Sequence, residues 1–445
     1  MSARLPFSKI RSTIPWIAAI SLSGIFIAGM SADSVFFGIN QYRNLSFLLI
    51  LAGASAIALP FVPAVRNMLR KLIAAKISSF AFVLMALLVS VASFFIFSEF
   101  STSFINFDGE LFDAKFRRDY HDGKVHIVHD EMLELYVHFK FWVYSWKHWD
   151  WTVEESYRFL SCCAGSAFVF IVSMLGWEAF RIKVIFFLPF VFCGAGIALF
   201  FGDVENYSLT AVFLAGFLWT GLRSSRTTAE KFDANLIVAG TFLGLAVSFH
   251  LLAGWLIPGF LFLVWRRLRT NPAGALLSLA LMTMIPLSVI FWMENEGLPV
   301  GNLFAKSNLF GQGQGTLSMF VSPSGEYYYW LSHLVLLLLP LLPFLVSILI
   351  SNFIRWTGEM KFLGFCGFFL FVFMVTWNAA IGIYHDWSLF ANCGLVLSVF
   401  TGFAFLRSEQ IKNKWILYPL AVVPPMLHTS GWIWYNHIDG NPPLI

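Results

Sequence analysis

Charge is scarce in this sequence. Asp, Glu, Lys and Arg make up 12% of the 445 residues, against 58% hydrophobic ones, and a soluble domain carries roughly twice that share of charge. An ordinary soluble globular chain is therefore excluded. Cysteine is scarce too. The five present (Cys162, Cys163, Cys193, Cys366, Cys393) all lie in or beside apolar runs. No loop holds a plausible pair, which excludes a disulfide framework and a structural zinc site. Neither HExxH nor a paired CxxC occurs. The net charge of +4 carries no message about nucleic acid, and none is expected as a partner, because the basic residues have a topological role.

Long apolar runs are present instead. They recur near 14–31, 46–65, 77–98, 157–176, 184–201, 208–222, 236–251, 253–265, 275–293, 331–350, 362–378, 388–406 and 415–434, most of them long enough to cross about 30 Å of hydrocarbon. The pair around His250 and Pro258 is short and open to a re-entrant hairpin. Between the runs the charges sort by side. Basic clusters at Arg4/Lys9/Arg11, Arg66/Arg70/Lys71/Lys76, Arg181/Lys183, Arg223/Arg226/Lys231, Arg266/Arg267/Arg269, Arg355/Lys361 and Arg407/Lys412/Lys414 hold 20 of the 29 Lys and Arg. Those loops are expected to face the cytoplasm, with the N-terminus inside and "NHIDGNPPLI" outside. The start, with its basic residues, apolar run and "AGMSADS", also has the pattern of a secretory signal; it is read as a retained span.

Four segments then fall outside: a long loop at 99–156, "GDVENYS" at 202–208, a loop at 294–330, and "GIYHDWS" at 382–388. The long loop holds 12 of the chain's 25 acidic residues and five of its ten histidines. "GELFDAKFRRDY" has the spacing of an amphipathic helix with Leu111, Phe112 and Phe116 on its apolar side. After the turn signal "HDGK", "DEMLELYVHFKFWVYSWKHW" is too charged to span and too aromatic to float free, so it is expected to lie in the membrane interface. Asp119, Asp122, Glu154 and Glu155 are expected to solvate the loop. Asp108, Asp130 and Glu131 sit at helix starts near the membrane, where N-capping is the plain alternative to chemistry. His126, His129 and Asp130, with His121 nearby, leave a divalent metal open on a spacing that matches no zinc motif, and no other cofactor is indicated. "GQGQG" follows no predicted strand and faces away from cytoplasmic nucleotides, so it is not a nucleotide motif; its loop has the composition of a lid. The sequons at Asn44 and Asn206 lie too close to spans to be read as glycosylation sites.

The loop resembles the first extracytoplasmic loop of the GT-C class of glycosyltransferases, especially protein O-mannosyltransferases and their bacterial relatives. Asp108 and Glu110 stand where that class has an acidic pair, though Gly109 separates them. His129 takes the place of the histidine in its His-Pro-Pro-Leu stretch, with Asp130 and Glu131 in place of the prolines. "SYRFLSCCAGSAFVF" is similar to the next span of the class, with Arg158 and Gly165 matching its Arg and Gly. "FGDVENYSL" looks like the Glu-Asn-Tyr turn of some bacterial members (Glu205, Asn206, Tyr207). "YHDWSLFA" resembles a late Asp-Trp-Asp-Leu-Phe segment, with Asp386 as the first acid and Ser388 replacing the second. The acidic loop follows the third span here, whereas the class places it after the first, so an N-terminal hairpin has been added or the alignment is displaced.

The resemblance implies an all-α polytopic membrane protein, a GT-C-like bundle of about 11–13 transmembrane helices with amphipathic interfacial helices in the first long extracytoplasmic loop. The expected organisation is 1–98 N-terminal spans, 99–156 catalytic loop, 157–293 core bundle, 294–330 outer loop or lid, and 331–445 C-terminal spans. It implies a polyprenyl-phosphate-sugar donor and a hydroxyl acceptor on a protein, a lipid or a glycan, in a membrane of bacterial inner-membrane type. Phosphate is already a good leaving group, so one carboxylate suffices to take the acceptor proton in an inverting displacement, and a cation near the phosphate stabilises its charge. Asp108 is the candidate base, with Glu110 and Asp130 in reserve. Arg158 and Lys306 are candidate phosphate contacts; His129, Glu131, Glu205, Asn206, Tyr207 and Asp386 are candidate substrate contacts. A transporter or flippase of lipid-linked sugars is the first alternative, but one coupled to ions keeps ionisable groups at mid-membrane, and the spans hold little beyond His250 and His333. An outer-leaflet oligosaccharide polymerase or ligase shares the topology and the donor, and is the second.

Overall fold

The computed structural model describes residues 13–21, 23–25, 47–59, 62–74, 76–103, 107–123, 125, 131–227, 233–298, 336–338, 341–350, 356–376, 387–408, 411 and 414–438. Among them there is no strand. After helical turns in 13–25 come α1 (Phe47–Ala58), α2 (Pro63–Ala74), α3 (Ser79–Glu99), α4 (Phe107–His121), α5 (Met132–Trp149), α6 (Val153–Phe180), α7 (Val184–Phe192), α8 (Ser208–Arg226), α9 (Ala234–Phe249), α10 (Ile257–Leu268), α11 (Pro272–Asn295), α12 (Leu342–Ile350), α13 (Gly358–Thr376), α14 (Trp387–Arg407) and α15 (Lys414–Ile438). Short 3₁₀ turns at Ala195–Phe200 and Leu251–Leu256 extend α7 and precede α10. Six described stretches are long and apolar enough to cross a membrane: Ser79–Glu99, Val153–Phe192, Leu251–Leu268, Pro272–Asn295, Gly358–Thr376 and Trp387–Arg407. The protein is a multi-pass membrane protein.

The outer helices have an inward and an outward face. On α3, Phe82, Ala86, Ser90, Ser93 and Phe97 are buried, while Phe80, Leu84, Leu88, Val91 and Phe95 stay exposed, as a helix with one face toward lipid requires. The buried face of α3 meets α6 through small residues, the usual means of close helix approach in a membrane. Ser90 and Ser166 donate to each other's carbonyls, both at 2.7 Å. One residue earlier, a Cβ on Gly165 would run into Phe97 and Phe200. At the centre stands α14, whose residues Trp387–Leu406 are all buried.

The bundle's two ends differ chemically. One end gathers arginine: Arg226 and Arg407 both bind Glu359, Arg223 pairs with Glu178 at 3.2 Å, and Arg267 pairs with Asp233 at 3.1 Å. These contacts tie α6, α8, α9, α10, α13 and α14 together at that end. The opposite end carries the loop helices α4 and α5, and there the Thr102 and Ser103 N–H groups donate to Phe201 O at 2.7 Å and Asn436 O at 2.9 Å. From α6 to α11, and from α13 to α14, successive helices run between these two ends. The α9–α10 pair is a full crossing rather than a re-entrant hairpin. Asp233, at the start of α9, meets Arg267, near the end of α10, at the arginine end. His250, between the two helices, lies beside Tyr207 at the loop end, ring centroids 5.0 Å apart.

The loop helices α4 and α5 form a second small core against α6 and do not rest on the surface alone. Phe112 and Phe116 of α4 pack with Met132, Leu135, Phe139 and Trp142 of α5, Tyr157 of α6, Val204 and Met293. The aromatic side of α5 away from this core leaves Tyr144, Trp146 and Trp149 exposed, as an interfacial helix does. A left-handed Asp150 (φ 57°) ends α5, and a capping box then starts α6, Thr152 and Glu155 each accepting from the other's backbone N–H. Asp119, expected to be solvated, is fully buried. It lies one helical turn beyond Phe116 and two beyond Phe112 on the packed side of α4, and Lys115 covers it at 2.6 Å. Burial pulls the Lys115 ammonium below its ordinary range, against the pull of that carboxylate.

Candidate functional site

The tight turn between the 3₁₀ segment Ala195–Phe200 and α8 is the focus of the loop end. Its residues Asp203, Glu205 and Asn206 are all buried, and so is Ser208, the first residue of α8. Asn206 is the junction. Its carbonyl oxygen accepts from the Tyr157 hydroxyl at 2.9 Å, and its amide donates to Glu131 at 2.7 Å. Tyr157 is fully buried, with its ring stacked between Phe112 at 5.2 Å and His138 at 3.8 Å. Asn206 thus joins the turn to the start of α5 and to α6. Its burial also removes it as a glycosylation site.

A second tie lies one turn along α5. The Glu134 carboxylate accepts from the N–H of Leu209 at 2.7 Å, the N–H of Thr210 at 3.1 Å and the Thr210 hydroxyl. Two N–H groups that the first turn of α8 cannot satisfy within its own helix are thereby satisfied by another helix, with an anion at the positive end of the helix dipole. Burial pushes the Glu134 carboxyl up to about 7 even against those three bonds. His138, one turn further along α5, is buried without a hydrogen-bond partner among the described residues, and burial pushes its imidazole down to about 3. It is therefore neutral. Asp203 is raised from its usual range by the same cause.

From the other side, α14 contributes Asn392, whose amide donates to Tyr207 O at 3.4 Å, with Ser388 one turn nearer the loop end. His250 Nδ1 accepts from the Leu252 N–H at 3.1 Å, capping the 3₁₀ turn that follows it, which fits the expectation of a hydrogen-bonded packing residue. Arg158 lies on the α6 side of the turn. Its stem packs on Gly202, whose φ of +73° makes the sharp entry to the turn, and its guanidinium pairs with Glu154 at 2.5 Å.

No family model matches the sequence, and no curated protein does. Solved structures of similar architecture include ArnT from Cupriavidus metallidurans bound to undecaprenyl phosphate, at 12% identity and TM-score 0.56 over 81% of this chain and 78% of that one. The apo state of the same protein matches at 11% identity and TM-score 0.53 over the same shares. The chain has a GT-C fold. At this identity the likeness concerns the fold, and the roles of side chains have to be argued from this chain.

Of the residues read from sequence, the fold brings Glu205, Asn206 and Tyr207 into one buried turn, with the half-buried Glu131 bonded to Asn206 and Arg158 at its edge. Asp108 and Glu110 lie in the first turn of α4, and their side chains are outside the described residues. So are His126, His129, Asp130, Lys306 and Asp386, together with nearly all of the proposed lid at 294–330. No group of three or more His, Cys, Asp or Glu suited to a metal occurs among the described residues. Sequence reading missed Glu134, His138, Tyr157, Asp203 and Asn392. A signal for two of them existed: Glu131, Glu134 and His138 are spaced i, i+3, i+7, one face of a helix.

Proposed function

We propose that the protein is a glycosyltransferase that moves a sugar from a polyprenyl-phosphate donor to an acceptor hydroxyl on the extracytoplasmic face, with inversion. The acceptor oxygen bonds to the anomeric carbon as the bond from that carbon to the phosphate oxygen breaks. The acceptor proton passes to a carboxylate, and polyprenyl phosphate leaves. Asp108 is the base in this reading, at the start of α4, with Glu110 and Asp130 in reserve. Arg158 and Lys306 serve the phosphate; His129, Glu131, Glu205, Asn206, Tyr207 and Asp386 hold sugar or acceptor. The loop end of the bundle is the extracytoplasmic one, the N-terminus is cytoplasmic, and the membrane is a bacterial inner membrane. In this reading residues 1–98 are N-terminal spans, 99–156 the catalytic loop, 157–293 the core bundle, 294–330 a lid and 331–445 the C-terminal spans.

One observation carries the proposal. A cluster of buried acids and amides lies at the loop end of a fold shared with ArnT, a protein solved with undecaprenyl phosphate bound. A buried acid is costly unless hydrogen bonds or a bound ligand satisfy it, and such acids cluster at functional sites. The test mixes purified protein in detergent with a panel of polyprenyl-phospho-sugars and acceptors, and looks for a new glycosidic bond by mass spectrometry. Transfer by the wild type, lost in Asp108→Asn with normal membrane insertion, supports the reading. Wild-type activity in that variant moves the base to Asp130 or Glu205. A flippase would form no bond at all.

A further inference from the structure

A set of buried polar atoms around the Asp203–Ser208 turn is not used by the hydrogen bonds described above. Asp203 Oδ2, Ser208 Oγ, Ser388 Oγ, Asn392 Oδ1 and both ring nitrogens of His138 have no hydrogen-bond partner among the described residues. Each of the five side chains is more than nine-tenths buried. Native proteins leave few such groups, and each calls for an explanation. The five belong to one neighbourhood. Asp203 and Ser208 bound the turn. Asn392 reaches Tyr207 O within it, and Ser388 precedes Asn392 by one turn of the same helix. His138 stacks on Tyr157, whose hydroxyl is bonded to Asn206 of that turn.

Their chemistry selects among ligands. The Asn392 oxygen only accepts, whereas the Asp203 carboxyl, raised from its usual range by burial, can accept and, when protonated, also donate. The two serine hydroxyls both donate and accept, and a neutral imidazole has one nitrogen of each kind. No cation is among them. A phosphate offers only acceptors and negative charge, and would meet the Asn392 oxygen and a carboxyl here with no cation among the five to balance it. A ring bearing several hydroxyls supplies O–H donors to the acceptors and oxygens to the serines. Arg158 meets the turn with its stem, which packs on Gly202, while its guanidinium pairs with Glu154 and its Nε is a further buried atom without a partner among the described residues.

We propose that Asp203, Ser208, Ser388, Asn392 and His138 form the subsite for the hydroxyls of the transferred sugar, and that the sugar lies toward α14 while its phosphate lies toward Arg158 on α6. This deepens the glycosyltransferase reading and rests on it. It makes Ser388 and Asn392, on the fully buried α14, residues that set which sugar is accepted.

The test separates recognition from packing, because a polar atom without a partner in a buried helix is expected to cost stability and to be kept for its ligand. Asn392→Leu and Ser388→Ala are compared with the wild type. The probes are the polyprenyl-phospho-sugar that the wild type uses and undecaprenyl phosphate as the sugar-free inhibitor. Expected are an apparent melting temperature that is unchanged or higher, a donor KM raised about tenfold or more in Asn392→Leu, a smaller rise in Ser388→Ala, and an unchanged inhibition constant for undecaprenyl phosphate. An unchanged donor KM in both variants, with transfer otherwise normal, overturns the subsite alone and leaves these atoms to ordered water. A lower melting temperature with both lipids weakened equally assigns Asn392 to packing and also overturns it. Absence of transfer by the wild type with every donor overturns the glycosyltransferase reading, and the subsite with it.

Discussion

Glu134 caps α8 at Thr210, in the helix's first turn. The carboxylate comes from a loop helix and the N–H from a membrane helix 76 residues later in the chain, so the position of the Glu205 turn depends on how α5 docks. Removing the carboxylate leaves the N–H groups of Leu209 and Thr210 buried without acceptors, at about 1–3 kcal/mol for each orphaned group. Glu134→Ala is expected to lower the apparent melting temperature and to speed amide exchange at Leu209 and Thr210. Glu134→Gln keeps one acceptor oxygen and should fall between Ala and the wild type. Amide exchange followed by mass spectrometry checks the order, and equal protection in all three would remove the cap.

Glu134 and His138 give opposite pH dependences. The Glu134 carboxyl rises from 4.5 to about 7 in the folded protein. The folded state therefore holds a proton that the unfolded state has lost, and stability falls as pH rises through that window. Such a shift corresponds to roughly 3 kcal/mol. His138 falls from 6.5 to about 3. There the unfolded state takes the proton first, and stability falls as pH drops through that window. Between about 4.5 and 6.5 the His138 slope opposes that of Glu134, while Asp203, also raised by burial, adds to the Glu134 slope, so the wild type's melting temperature should fall only shallowly with pH there. His138→Phe keeps the stack on Tyr157 and removes one slope. Its melting temperature is expected to decline as pH rises from about 4.5 to about 7, and a flat profile in that variant would show that Glu134 does not titrate as stated.

The spans and their alternation were legible because the bilayer imposes a length on every apolar run and a sign on every loop. The turn bearing Glu205, Asn206 and Tyr207 was legible for a related reason, since an acid at the end of an apolar run has few structural uses. Glu134 and His138 were not, because their meaning lies in partners on another helix. The aromatic residues around them made α5 read as an interfacial helix, which it also is. Asp119 was misread because its sequence neighbours, Arg117, Arg118 and Asp122, are solvent-facing, whereas helical spacing turns Asp119 itself toward Phe116 and Lys115. Asn392 stands as a single amide within the apolar run of α14, a signal for a membrane-buried function that composition over a whole span averages away.

At the opposite end, the Asp233–Arg267 pair is the most deeply buried of the ion pairs among the described residues, with side chains 1% and 6% exposed. Asp233 also accepts from the Ser224 hydroxyl at 2.7 Å and caps α9 at Leu236. Arg267 in turn donates to Ser224 O at 2.7 Å. Truncating one member of a buried pair strands the other charge, at about 3–5 kcal/mol. Asp233→Ala is expected to destabilise the protein by that order, whereas the double variant Asp233→Ala with Arg267→Met should recover part of the loss. A double-mutant cycle on thermal stability measures the coupling, and additive effects would mean that the pair contributes nothing as a pair.

Arg158 faces a choice of partners. Its guanidinium is held by Glu154 at 2.5 Å, but the two side chains are 28% and 35% exposed, and a pair so open to solvent is worth about 0–1 kcal/mol. A phosphate offers the same guanidinium two oxygens and a stronger, two-pronged contact. If Arg158 serves the donor phosphate, Glu154 competes with the ligand for it. Arg158→Ala should then weaken undecaprenyl phosphate binding by about tenfold or more, whereas Glu154→Gln should leave it unchanged or tighten it severalfold. Binding to the purified protein at two salt concentrations checks both, because the contact is charge-dependent and the wild type should lose affinity with salt faster than Arg158→Ala. Equal affinity in the wild type and Arg158→Ala would confine Arg158 to its pair with Glu154 and its packing on Gly202, and would pass the phosphate to Lys306.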